Sequence, residues 1–369
     1  MKVDRRLFVN FDWVLPTLVL LICCIGLMNL YSVGYNLSDA HGTPSYVRQT
    51  YWIVIGFVMM IVVLSVDYHF IIRYAYVLYT LSVGLLFVVF LYGKVAQGSQ
   101  RWLLLWGFSF QPSELIKLTL IIALARFFSD KNVSQEWGLR SLTAPLCIFL
   151  IPALLIVKQP DLGTTLFLGI LFFSIIILFK IRKRLIKTAI GAGFVLIPLG
   201  WFFIKDYQRK RILTFLNPEM DPLGSGYHII QSIIAIGSGG MLGKGYLKGT
   251  QTQLKFLPEQ QTDFVFSVFA EEWGFLGVVV LLFLFFALVL WGFKIARHSR
   301  DLSGMLIAYG ITVYIFWGVF VNIGMVLGIL PVVGIPLPFL SYGGSSMVVL
   351  MMGVGLLMNV SMRRFVLQP

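Results

Sequence analysis

Long apolar runs alternate along the chain with short polar or glycine- and proline-rich breaks. Each run approaches the roughly 20 residues that a helix needs to cross a bilayer. The runs fall at about 12–33, 47–66, 70–92, 111–129, 141–158, 161–180, 187–204, 264–296, 304–329 and 340–362. This pattern predicts an all-α, polytopic integral membrane protein with about ten transmembrane helices and both termini on one side. One connection is too long for a simple link: 205–263 is expected to form an extracytoplasmic loop. Within it the spacing of Ile229, Ile230, Ile233, Ile234 and Ile236 fits a short amphipathic helix lying at the interface.

Composition agrees: 58% of the 369 residues are hydrophobic and only 12% are charged, with a mean hydropathy of +0.88. Soluble domains are about half apolar and a quarter charged. The spans and their links use nearly the whole chain, so 1–369 reads as a single membrane domain. The first run follows a basic start, yet it is too long for a secretory signal and lacks a small-residue cleavage site, so it is expected to be retained. Cys23, Cys24 and Cys147 lie inside apolar runs with no ligand spacing and read as packing residues.

The net charge of +13 changes meaning once it is placed on this topology. Lys and Arg crowd the side that carries the termini, as in Lys180, Arg182, Lys183, Arg184 and Lys187, whereas the opposite short loops carry only Arg48, Lys94, Arg101 and Lys158. That asymmetry puts the termini in the cytoplasm and leaves no case for nucleic acid as a partner.

Ionisable groups near the spans are few and are the candidates for function. Ser113, Glu114 and Lys117 open the fourth run, with Glu114 and Lys117 three residues apart on one face. They read either as a self-satisfied pair orienting two helices or as the polar wall of a cavity open to the outer face. Asp161 either caps the sixth helix or carries charge at the mouth of the same cavity. The long loop offers Arg209, Arg211 and Gln231, then a glycine-rich stretch, 237–245, that is a flexible turn or, less well supported, a phosphate cradle. Asp263 precedes the eighth run, where it either caps the helix or serves as a general base toward a lipid-linked substrate. No internal repeat or matched pair of broken helices is evident, which weakens a transport reading.

The strings QPSELIK (111–117), QPDLGTT (159–165), DPLGSGYHIIQS (221–232), GKGYLKGTQTQLKFLPEQQTDFVFSVFAEEWG (243–274) and LPVVGIPLPFLSYGGSS (330–346) closely resemble the SEDS family (shape, elongation, division, sporulation). They are most similar to its rod-shape-determining members. The resemblance implies a peptidoglycan glycosyltransferase that polymerises lipid II, the undecaprenyl-diphosphate-linked disaccharide peptide, at the outer face of the bacterial cytoplasmic membrane during elongation. It implies a class B penicillin-binding protein and other elongation-complex proteins as partners. It also makes Asp263 the essential carboxylate and Glu114 and Lys117 a matching polar pair. Arg101, Ser113, Asp161, Arg209 and Gln231 are expected to bind substrate or line its cavity. A lipid II flippase and a non-catalytic scaffold are the alternatives. No metal-ligand set is visible, although a divalent cation such as Mg2+ is one way to neutralise a diphosphate. The chain departs from the family at Gln261, where His is usual; Gln hydrogen-bonds but does not titrate.

Overall fold

A computed structural model describes residues 11–35, 43–96, 99–105, 108–131, 136–188, 191, 206–221, 224–254, 256–257 and 259–364. The apolar runs become α1 (Val14–Gly34), α2 (Ser45–Ser65), α3 (Ala75–Tyr92), α4 (Pro112–Ser129), α5 (Leu139–Lys158) and α6 (Leu162–Ile176). The long segment supplies α7 (Asp206–Leu216) and α8 (Ser225–Ser238), and the last three runs supply α9 (Val265–Arg297), α10 (Leu302–Val326) and α11 (Gly344–Arg363). Seven of these, α1, α2, α3, α5, α9, α10 and α11, are long and apolar enough to cross a membrane. The chain is thus a multi-pass membrane protein. The run expected at 187–204 lies largely outside the described residues.

Burial sorts the helices into layers. In α10 and α11 the apolar window is 72% and 83% buried, against 22% to 39% in the other five. These two form the centre together with α4, which is buried along almost its whole length. The outer helices turn apolar side chains outward, such as Leu81, Phe87, Leu154 and Phe283; lipid, being apolar, lets them do so without cost. Cys23 is buried and Cys24 and Cys147 are exposed, all three as free thiols.

Between α3 and α4 the chain forms an antiparallel sheet that the helical pattern did not anticipate. Its strands are β1 (Lys94–Ala96), β2 (Ser99–Leu105) and β3 (Phe108–Phe110), with Leu103 opposite Phe110 and Leu105 opposite Phe108. Strands of three to seven residues are too short to show in a search for runs of helical length. The sheet brings Arg101 against the start of α6, where its guanidinium donates to the Pro160 carbonyl at 3.3 Å.

The long segment also differs from a loop bearing one surface helix. Among its described residues it holds α7, α8 and a four-residue helix at Thr250–Gln253, and one face of α8 packs against the bundle. Ser232, fully buried on α8, lies 2.9 Å from the Ser267 hydroxyl of α9 and donates to the Val326 carbonyl of α10 at 2.6 Å. After α8 the glycine-rich strap docks on α9 at a break. Gly274 adopts φ 62°, ψ −164°, so the expected single helix is two helices meeting at an angle.

A helix break strips backbone groups of their partners, and at membrane depth water cannot replace them. The strap does. Phe275 and Leu276 donate to the carbonyls of Gly240 and Met241 at 2.9 and 3.1 Å, and Lys244 and Gly245 donate to the carbonyls of Glu271 and Glu272 at 3.0 and 3.1 Å. Two backbones can approach this closely only where side chains are missing: a Cβ on Gly243 would meet the Glu272 carbonyl oxygen at 2.1 Å, and one on Gly274 would meet the Gly243 nitrogen at 2.2 Å. The amides of Gly243, Lys244 and Gly245 are therefore engaged with protein rather than cradling phosphate. Gly274→Ala combines that clash with a left-handed φ and is expected to cost about 1–3 kcal/mol. A lowered melting temperature in detergent is the readout, and an unchanged one would contradict this account of the break.

Candidate active site

The turn 259–264 leads into α9, and its geometry decides what Asp263 can do. Glu259 takes a left-handed φ of 50°, uncommon for a residue with a side chain, and its carbonyl accepts from both Thr262 and Phe264. The N-cap of α9 is Phe264, with no side-chain cap. Asp263 therefore does not cap the helix, and its carboxylate is directed elsewhere.

It opens on a cleft of about 230 Å³. Arg211 and Thr214 come to this cleft from α7, His228 and Ile229 from α8, Glu259 and Asp263 from the turn, and Val332 from the link between α10 and α11. That link passes directly over the carboxylate: a Cβ on Gly334, whose φ is 72°, would stand 3.5 Å from Asp263 Oδ2. Burial pushes the Asp263 carboxyl up to about 6, and the neighbouring Glu259 adds to the rise while Arg211 and Arg101 oppose it. Burial lowers the pKa of His228, against the pull of Glu259 and Asp221. Its ring lies nearly parallel to that of Phe264, with 6.1 Å between centroids.

Of the residues expected from the sequence, Arg101 joins this group through its charge, and Asp161 through Arg101. Asp161 does cap α6, accepting from the Thr164 amide at 3.1 Å and its hydroxyl at 2.9 Å, and it also pairs with Arg101 Nε at 3.4 Å. Two residues on, Gly163 packs so tightly on Val333 that a Cβ would reach its carbonyl oxygen at 2.1 Å. The 159–165 and 330–346 strings thus meet beside Asp263.

Glu114 and Lys117 lie elsewhere. They pair at 2.7 Å in the packed interior, where the Tyr314 hydroxyl donates to Glu114 at 3.4 Å and the ammonium sits 5.2 and 5.3 Å from the ring centres of Phe167 and Tyr314. Neither lines the cleft. Ser113 is buried beside them, its hydroxyl without a partner among the described residues. Gln231 is half-buried on α8, also off the cleft. Arg209 and Arg211 stand two apart on α7, so a helix cannot point both at one target; the cleft receives Arg211. The side chain of Gln261 faces α2, accepting from the Ser45 hydroxyl at 2.5 Å.

Sequence reasoning passed over Glu259 and His228 as cleft residues, and over Glu271 and Glu272, two adjacent acids inside an apolar run. Glu271 is fully buried and accepts from Lys244 Nζ at 2.8 Å, Gln251 N at 3.0 Å and Thr250 Oγ1 at 3.1 Å. Glu272 accepts from the Ser32 hydroxyl of α1. An Asp or Glu pair amid apolar residues was itself the signal. Among the described residues no three His, Cys, Asp or Glu side chains gather as a metal site.

Comparison with known proteins places this geometry in context. A profile of the FtsW, RodA and SpoVE family, described as cell cycle protein, matches residues 12–365. The peptidoglycan glycosyltransferase MrdB of Escherichia coli K12 is 44% identical over 313 residues, covering 85% of this chain and 84% of its own. Stage V sporulation protein E of Bacillus subtilis is 39% identical over 358 residues, covering 95% and 96%. Among solved structures, one described as a peptidoglycan synthase complex coordinating polymerization and crosslinking superposes with a TM-score of 0.80 at 34% identity, covering 96% of this chain and 98% of that one. The rod shape determining protein RodA of Thermus thermophilus superposes at 0.71 with 28% identity and the same coverage. The chain belongs to the FtsW/RodA/SpoVE, or SEDS, family.

Proposed function

We propose that Asp263 is the general base for glycosyl transfer between two molecules of lipid II. The chain is a peptidoglycan glycosyltransferase of cell elongation. In the reaction a sugar hydroxyl of one substrate attacks the anomeric carbon of the other, the new glycosidic bond forms, and the bond to undecaprenyl diphosphate breaks. A hydroxyl attacks well only as its proton leaves, so a carboxylate within reach of it is needed. The observation that carries this reading is a buried carboxylate at the lip of a cleft, with its pKa drawn up to about 6, closer to the operating pH than an ordinary Asp. Arg211 in the same cleft, with Arg101 nearby, supplies positive charge for the departing diphosphate.

The excess of Lys and Arg near the termini supports an orientation with both termini in the cytoplasm and the Asp263 end at the outer face of the cytoplasmic membrane. There lipid II arrives held by its tail. The complex found among the solved structures supports a class B penicillin-binding protein as the crosslinking partner of this chain, within a larger elongation complex. A divalent cation such as Mg2+ would enter with the substrate, held by the diphosphate oxygens rather than by a dedicated protein cage.

Asp263→Asn keeps the size of the side chain and removes the base. It is expected to retain the wild-type melting temperature and to abolish glycan polymer in a gel assay with purified lipid II; wild-type rates from this variant would end the assignment. The pH profile gives a second test. A base must be ionised, so kcat/KM should fall as pH drops through about 6 and level off above it. Glu259→Gln removes the second cause of the rise but not burial, so the acid limb should move to lower pH by a fraction of a unit. A limb that stays in place would remove Glu259 from the electrostatics of the base.

A further inference from the structure

The irregular segment before α9 and the first residue of α9 carry main-chain carbonyls that buried donors from three other parts of the fold take up in turn. The carbonyl of Gln261 accepts from Tyr342 N at 2.8 Å, that of Thr262 from Ser341 Oγ at 2.6 Å, that of Asp263 from Asn322 Nδ2 at 3.0 Å, and that of Val265 from Asn29 Nδ2 at 2.8 Å. Asn29 belongs to α1, Asn322 to α10, and Ser341 and Tyr342 to the link before α11. Asn322 occupies the centre of this set. It is fully buried, and its amide also donates to the Ile335 carbonyl at 2.8 Å, tying the Asp263 turn to the link that passes over the carboxylate. With carbonyl oxygens on both contacts, only the NH2 end of the amide fits there.

The other end of Asn322 is the informative part. Its Oδ1 is buried with no partner among the described residues, as is that of Asn29. A buried amide can satisfy its oxygen as well as its nitrogen. Asn359 shows that this fold can do so. Equally buried on α11 against the C-terminal end of α2, it donates to the carbonyls of Val63 and Leu64 while its Oδ1 accepts from Tyr68 N and from Arg363.

We infer that Asn322 is the positioning residue of the glycosyl transfer: its two hydrogen bonds fix the main chain of Asp263 so that the carboxylate is held in the cleft under Gly334. The inference rests on Asp263 being the base. The groups that face that carboxylate are Glu259 on its own turn, Arg211 on α7, His228 on α8 and Arg101 on β2. Releasing the main chain lets the carboxylate relax toward water without altering any of these charges.

The test compares Asn322→Ala with Asn359→Ala in the purified full chain with lipid II, reading kcat, KM, the acid limb of the pH profile and melting temperature. A misplacement of about 1 Å costs about 100-fold in rate, so Asn322→Ala is expected to lose kcat on that scale with KM nearly unchanged. Its acid limb should move below 6, toward the ordinary carboxylate range, as burial is relieved. Asn359→Ala should lower the melting temperature and leave the limb in place. A wild-type kcat in Asn322→Ala, or a loss matched by Asn359→Ala with neither limb moving, overturns the inference. Should Asn322→Ala not fold, Ser341→Ala removes one neighbouring donor and is expected to shift kcat and the limb in the same direction by less; no shift overturns it equally. Inactive Asp263→Asn beside normal Asn322→Ala refutes the positioning role alone, whereas active Asp263→Asn refutes the base.

Discussion

A buried main-chain carbonyl or amide has no water to fall back on, and this constraint shapes the region around Asp263. A straight helix satisfies itself. The stretch from the glycine strap to Gly274 does not, because it must turn a carboxylate into a cleft and then break again about three turns later. Each departure from helix is met by donors or acceptors brought from elsewhere, through the strap at Gly274 and through Asn29, Asn322, Ser341 and Tyr342 at the turn. The long segment and the link before α11 are built around these bonds, which is why their sequence strings end up side by side.

The electrostatics follow from that placement. Burial would make Asp263 too hard to ionise if it acted alone, and Glu259 makes it harder; Arg211 and Arg101 restore part of the balance. Arg101 is itself shared, since Asp161 holds its guanidinium while capping α6. This cation beside the cleft is thus held in place by a carboxylate that has a structural duty of its own. The Glu114–Lys117 pair, by contrast, is buried with its ammonium against Phe167 and Tyr314 and does not line the cleft.

Helix-length apolar runs made the spans legible, with ends mostly within a few residues of α1 to α6 and α9 to α11. What escaped was whatever has no period of its own. The three strands between 94 and 110 are too short to register, and the Gly274 break sits in a long, mostly apolar run of a kind where Gly is frequent in membrane helices. Asp263 was identifiable because an acid at a span boundary is conspicuous. The choice of Arg211 over Arg209 was not, since it depends on which face of α7 meets α8. Asn322 looked like one polar residue in a long span; its meaning lies in two carbonyls, one of them on a residue distant in sequence.

The shortest of the apolar helices adds a consequence for the membrane itself. α6 has 15 residues, about 22 Å at 1.5 Å per residue, against a hydrocarbon thickness of about 30 Å. Leu166 and Phe173 are exposed along it, so lipid meets this helix directly. Mismatch of this kind is relieved by thinning the adjacent bilayer at a fraction of a kcal/mol per Å. The flank of the protein that begins at the Arg101–Asp161 pair therefore presents lipid with a much shorter apolar helix than the 33-residue α9 does.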